Sequence, residues 1–294
     1  MKTCQKCGKT NRNEASYCKW CGERLTAAAD ASAVGKPMAG GSRGTADPEA
    51  GKAGSVAVGM PHGMIAKECV REPLENFTKR CEQTAEFRKR TGSDARPGLD
   101  CIITGETGTG KTYLAGRLAQ ILYDNRISES RKPKTVDAAD WDEFNSSLDE
   151  NLAAVKTGVL VVTNCQNLVD TQGGPSELDK LFARMKVNVN MPVVILCGLE
   201  DGFGTYISAE SNALSLFEFR FQISSFKDSD LKALCVSLIR DRFRTAVSPE
   251  AEKRLGLVFK KMFRDGRTKE NGILAGKVAE ESAFNMFSRG GSQI

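Results

Sequence analysis

The chain has 294 residues, 40% of them hydrophobic and 27% charged, and a formal net charge of +5; it is long enough for two domains or for one domain with an appendage, and the spread-out charge is no more than a weak hint of an acidic partner. Its single histidine, His62, sits in a Gly/Pro-flanked stretch and argues against histidine-based catalysis. Its ten cysteines form two C-x-x-C pairs and six isolated positions among apolar residues, which excludes a disulfide framework and points to a reducing cytoplasm; no apolar run exceeds strand length, so neither a membrane span nor a signal peptide is expected.

In chain order, Cys4-x-x-Cys7 and Cys18-x-x-Cys21 come first. Gly8 and Gly22 follow the second cysteine of each pair and accommodate a tight knuckle. Four thiolates in tetrahedral reach favour Zn²⁺, and a closed Cys₄ shell is structural rather than catalytic. The alternative, two redox C-x-x-C sites, is poorly matched by a tail of about 25 residues, which has no core of its own and would draw its folding energy from the metal. Residues 1–25 resemble the short zinc ribbons at the N-termini of many bacterial proteins, which bind a protein client or nucleic acid. Lys2, Lys6, Lys9, Arg12, Lys19 and Arg24 outnumber Glu14 and Glu23; this allows a nucleic-acid role, but a solvated basic face and a protein partner are preferred. Residues 26–62 are rich in Ala, Gly and Ser and read as a flexible linker.

From Gly63 to Arg90 the pattern is helical, with Val70, Leu74 and Phe77 at i, i+4 and i+7. Leu99 to Thr104 reads as a buried strand. Gly105-Glu106-Thr107-Gly108-Thr109-Gly110-Lys111-Thr112 then fits G-x-x-x-x-G-K-[ST], and Tyr113 to Leu122 reads as a helix. The glycines let successive backbone N–H groups turn onto phosphate oxygens, and the helix N-terminus adds its positive end. Lys111 is placed for the β- and γ-phosphates of ATP or ADP, and the Thr112 hydroxyl for Mg²⁺. The plain alternative is a glycine turn followed by a surface lysine, against which the strand–loop–helix order weighs. Lys134 to Val136, Val159 to Val162, Val193 to Leu196 and Phe219 to Ile223 are further strands. Asn145 or Ser146 is expected to cap a helix to Lys156, and Ser176 to Met185 is a helix with Leu178, Leu181 and Phe182 inward. After Phe226 the pattern is helical only: Asp228 to Arg242, Pro249 to Phe263 and about Asn271 to Phe287, with Ser248-Pro249 a good helix start. Strands alternating with helices predict a parallel sheet covered on both faces.

This order of segments resembles the AAA+ ATPases, and within them the red-type rubisco activase and stage V sporulation protein K group, from about Met64 to Phe287. The resemblance implies a P-loop α/β domain at 63–226, with a five-stranded parallel sheet, and a small helical lid at 227–294. It also implies ATP or ADP with Mg²⁺, and a homo- or hetero-oligomeric ring. The departures are as informative. Where the family's third strand ends in Asp-Glu, to support Mg²⁺ and activate water, this chain has Thr163-Asn164. Threonine brings no charge, and asparagine cannot take a proton. The family's arginine-finger segment falls on Leu214-Ser215-Leu216-Phe217, with Arg220 nearby as a substitute. The nucleotide-sensing lid arginine falls on Ile273 or Gly276, with Lys277 the nearby cation. Trp141 and Phe144 stand where the family carries its central-pore loop, and read equally as pore aromatics or as a buried pair. The sequence therefore points to an ATP-binding, hydrolysis-deficient subunit or adaptor with a zinc ribbon for partner recruitment. The alternatives are an active ATP-driven remodeller and, with less support, a helicase-loader-like protein.

Overall fold

The computed structural model describes residues 2–3, 10–11, 68–93, 98–169, 176–187 and 191–288. The chain divides into two units, Met1–Val56 and Ala57–Ile294. In the first, β1 (Lys2–Thr3) and β2 (Thr10–Asn11) pair antiparallel, with Lys2 opposite Asn11 and Thr3 opposite Thr10. Cys4 and Cys7 fall on the connection between these strands. Together with Cys18, Cys21 and the linker at 26–62, they lie outside the described residues.

The second unit begins with α1 (Glu68–Thr91), β3 (Cys101–Gly105), α2 (Lys111–Asp124) and β4 (Lys134–Asp137). Next come α3 (Trp141–Ser146), α4 (Leu148–Val155), β5 (Val159–Thr163), α5 (Glu177–Val187) and β6 (Val193–Gly198). Two short helices, α6 (Thr205–Ala209) and α7 (Ser211–Leu216), lead to β7 (Phe219–Ile223). Among the described residues five strands form one parallel sheet in the order β4-β5-β6-β3-β7.

The strands read as continuous apolar runs because both faces of the sheet are covered. Side chains alternate across a strand, so each run feeds two cores. Cys101, Ile103, Val159, Val161, Val193, Ile195, Cys197 and Phe221 meet α1 and α2 on one face. Ile102, Leu160, Val162, Val194 and Leu196 meet α3, α5 and α7 on the other. On the α1 side, Phe77 sets its ring edge-on to Phe219 at 5.1 Å, and Arg80 pairs with Glu218.

One expected element differs. The helix expected to be capped at Asn145 or Ser146 and to run to Lys156 is α4, capped one residue later at Ser147 (φ −128°, ψ 45°), and a separate short helix that was not expected, α3, precedes it from Trp141. The additional helix follows from packing: Trp141 and Phe144 are 2% and 6% exposed, their rings lie 5.5 Å apart, and they bury into the second core. Asn151 bridges the break by donating to Phe144 O at 2.8 Å. The buried-pair reading of Trp141 and Phe144 therefore holds, and the pore-aromatic reading is corrected.

The remaining helices, α8 (Asp228–Phe243), α9 (Pro249–Arg264) and α10 (Gly272–Ser288), share a third core around Leu231, Leu234, Ile239 and Phe259. Ser248 caps α9 as expected, accepting from Ala251 N at 3.2 Å with Pro249 at the first position. Ala275 and Ala279 bring α10 close to α8. Among the described residues no helix is long and apolar enough to cross a membrane. Of the described cysteines, Cys69 is exposed, while Cys81, Cys101, Cys165, Cys197 and Cys235 are buried free thiols. Burial pushes Cys81, Cys197 and Cys235 up to about 12, and Cys101 and Cys165 well above the usual thiol range.

Candidate nucleotide-binding site

β3 ends at Gly105, the loop runs through Gly110, and α2 starts at Lys111, giving strand, loop and helix in the expected order. Gly108 and Gly110 have φ of 74° and 96°, a region that disfavours any residue with a Cβ. Thr109 closes the turn: its N–H and its Oγ1 both donate to Glu106 O, at 3.3 and 2.8 Å. Gly110 gives α2 no side-chain cap, and the first turn carries no acid. The N–H groups and the positive dipole end at this terminus thus have no internal anion to satisfy them. Lys111 Nζ donates to Gly105 O at 2.7 Å and to Glu106 O at 2.8 Å. Burial holds the Lys111 ammonium below the usual lysine range, with the Cys197 thiol and the Glu106 carboxylate acting in the opposite direction. Thr112 is exposed in the first turn of α2. A glycine turn, an uncapped helix start, a half-buried ammonium and a free hydroxyl form a donor set that fits a nucleotide's phosphates and their Mg²⁺.

Two strands away, Thr163 ends β5, with Asn164 beyond it in the left-handed region at φ 58°. Strands spaced about 4.8 Å apart put this end roughly 10 Å from the end of β3. Neither residue is acidic, but a carboxylate stands against both. Asp137, at the end of β4, lies opposite Thr163 in the ladder. Its Oδ2 accepts from Asn164 Nδ2 at 2.7 Å and from Thr163 Oγ1 at 3.2 Å, and its Oδ1 accepts from Ala139 N at 3.0 Å. The next strand end carries another acid: Glu200, two residues past β6, has a buried Oε2 with no described hydrogen-bond partner.

The chain is 28% identical over 175 residues to the ESX-1 secretion system protein EccA1 of Mycobacterium leprae (strain TN), a match covering 55% of this chain and 30% of that protein. It is 25% identical over 177 residues to Protein CfxQ of Xanthobacter flavus, covering 56% of this chain and 55% of that one. The chain thus spans about a third to a half of the length of these curated relatives. No family model matches it. Among solved structures, the Thermotoga maritima RuvB Holliday junction branch migration motor superposes with a TM-score of 0.51 at 13% identity, covering 75% of this chain and 65% of that chain. The chain has the AAA+ P-loop fold. The grouping with red-type rubisco activases and the sporulation protein goes beyond these matches.

Within the AAA+ frame, the expected site residues separate into two sets. Gly105 to Thr112 come together as one loop and helix start. The two cations expected as replacements, Arg220 and Lys277, lie on β7 and α10. Arg220 lies on β7 opposite Ile102, three residues short of the loop, in a groove lined also by Glu72, Lys79 and Glu218. Leu214 is exposed on α7, and Phe217 is buried in the second core. Ile273 approaches the loop: its Cγ1 lies 3.2 Å from where a Cβ on Gly108 would stand. Lys277 pairs with Glu270 at 2.6 Å, so its charge is already matched. Sequence reasoning missed two residues. Asp137 follows the expected strand Lys134 to Val136 with no signal of its own in the sequence, and its meaning depends on the β4–β5 register. Asn271 reads in the sequence only as the start of the last helix.

Proposed function

We propose that this chain binds Mg·ATP and Mg·ADP at Gly105–Thr112, hydrolyses ATP very slowly, and acts as a nucleotide-dependent subunit or adaptor of a larger homo- or hetero-oligomeric AAA+ assembly. The observation that carries this reading is the end of β5, where Thr163 and Asn164 both give their donors to Asp137. The backbone at Gly108 and Gly110, with Lys111, would hold the phosphates, and Thr112 the Mg²⁺. The metal, when bound, supplies charge neutralisation along the phosphates. Lys111 must leave the carbonyls of Gly105 and Glu106 to reach a phosphate. Asn164, with its amide turned to Asp137, keeps only Oδ1 for a water, which orients the water without taking its proton. Leu214 and Phe217 bring no charge where the AAA+ resemblance places an arginine finger, and Lys277 is paired with Glu270, so external charge for the transition state would come from a partner subunit. The partial match to a secretion-system protein supports a place in a larger machine. The likeness to RuvB is one of fold and brings no nucleic acid to this chain.

We also infer that Cys4, Cys7, Cys18 and Cys21 hold one Zn²⁺ in a ribbon that recruits a protein partner. Support comes from the spacing of the pairs.

The test is affinity for a fluorescent ADP measured alongside steady-state ATP turnover, using the full chain and Lys111→Ala. Binding lost in Lys111→Ala, with wild-type turnover no faster than that variant's, is the expected result. Asp137 favours one competing reading, an active ATPase whose acid comes from β4. Steady turnover near about 1 s⁻¹, abolished by Lys111→Ala and by Asp137→Asn, would establish that reading instead.

A further inference from the structure

The P-loop is held from behind by the lid. Asn271 precedes α10 with φ 48° and is 2% exposed. Its Nδ2 donates to Thr107 O at 3.0 Å and to Lys269 O at 3.2 Å, and its Oδ1 accepts from Phe226 N at 2.7 Å. Gly272 N donates to Gly108 O at 2.9 Å. The approach is close on both sides: a Cβ on Gly108 would stand 2.1 Å from Glu270 O, and one on Gly272 would stand 2.8 Å from Gly108 O. One buried amide thus joins the loop, the crossover from β7 to α8, and the start of α10.

This contact has a consequence for phosphate binding. A trans peptide is planar, so the Thr107 C=O and the Gly108 N–H point in opposite directions. Fixing the carbonyl onto the lid turns the Gly108 N–H to the other side of the loop, where no acceptor among the described residues takes it. The Gly108 C=O, held by Gly272, likewise turns the Thr109 N–H inward, onto Glu106 O. A flexible glycine loop would otherwise lose this alignment to backbone rotation.

We propose that Asn271 is a positioning residue that sets the P-loop amides for a phosphate and thereby couples nucleotide occupancy to docking of the lid. This rests on reading Gly105–Thr112 as the phosphate site. Coupling is reciprocal: if a docked lid tightens phosphate binding, bound phosphate tightens lid docking by the same factor.

The experiment uses the full chain and two variants. Asn271→Asp removes the donor to Thr107 O and faces that carbonyl with negative charge, while keeping the acceptor for Phe226 N. Gly272→Ala drives a Cβ against Gly108 O and leaves Asn271 intact. Hydrogen exchange is measured without nucleotide, and Mg·ADP affinity separately. Both variants should exchange faster at residues 106–110 and 270–276 with β5 and β6 unchanged, and should bind Mg·ADP about tenfold more weakly, as expected when a buried carbonyl loses its partner. Wild-type exchange at 106–110 in both variants, or faster exchange with wild-type ADP affinity, overturns the proposal. Wild-type protein that binds no ADP refutes the nucleotide reading and the coupling, while exchange at 106–110 still decides whether Asn271 orders the loop.

Discussion

Restoring the two missing acids should damage this protein rather than activate it. Thr163→Asp with Asn164→Glu introduces the acidic pair that the AAA+ resemblance implies at the end of β5, but Asp137 already occupies the space between those side chains. Its Oδ2 is 3.2 Å from Thr163 Oγ1 and 2.7 Å from Asn164 Nδ2. The double variant turns two attractive contacts into two like-charge contacts at about 3 Å. Each is worth roughly 1 kcal/mol if screened as in bulk water and about 5 kcal/mol at an effective dielectric of 20. Thr163 is half-buried and Asn164 exposed, which places the total loss at about 3 kcal/mol. At 2–4 °C per kcal/mol for a domain of this size, Tm should fall by roughly 6–12 °C at pH 7. In the double variant the repulsion develops only as these carboxylates ionise. The native state is therefore favoured while they are protonated, and the deficit grows as pH rises from about 4 toward 7. Adding Asp137→Asn removes the shared charge, keeps an oxygen for Ala139 N, and should recover most of the loss. Urea unfolding of the wild type, double and triple variants, together with ATP turnover, tests this. A double variant as stable as wild type, or one that hydrolyses ATP rapidly on its own, would refute the assignment of Asp137.

Metal analysis of freshly reduced protein should give one Zn²⁺ per chain, lost in Cys4→Ser/Cys7→Ser; a metal content near zero rules the ribbon out. Trp141→Ala should cost about 3–5 kcal/mol in urea unfolding, as a buried aromatic does, whereas a solvent-facing pore residue would cost about 0.5 or less. Burial acts to raise Asp179, but donors from Tyr206 (2.5 Å) and Ser176 (2.8 Å) outweigh it and hold the carboxyl below its ordinary value. Its contribution is therefore present above the ordinary carboxylate range and lost as pH falls through the lowered value. Tyr206→Phe should flatten that acid-side loss in a pH series of urea midpoints, and an unchanged slope would refute the assignment.

Much of the α/β unit was legible because its physics is local or repetitive. Buried parallel strands cannot alternate polar with apolar, so Val159 to Val162 and Val193 to Leu196 stand out. Ser248-Pro249 and Gly105 to Lys111 carry their signals within a few residues. What was not legible depends on contacts between distant segments. The extra helix at Trp141 is set by aromatics that bury into the second core, and no side-chain cap announces it. Asp137 matters only once the β4–β5 register is known. Asn271 meets Thr107 across 164 residues of chain, with nothing near either one to announce the pairing.

The buried thiols give this fold a built-in clock for its own fluctuations. With Cys81, Cys197 and Cys235 pushed up to about 12, fewer than about one in ten thousand is a thiolate near pH 7.5, and none can meet an alkylating reagent without the structure parting. Among the described residues Cys69 is exposed and needs no opening, while an adduct at any of the five buried thiols records an opening event. Cys235 reports the lid, Cys81 the packing of α1, and Cys101 and Cys197 the centre of the sheet. Mass spectrometry of a timed alkylation, with and without nucleotide, would thus rank the opening free energies of three layers of the native protein without a single substitution.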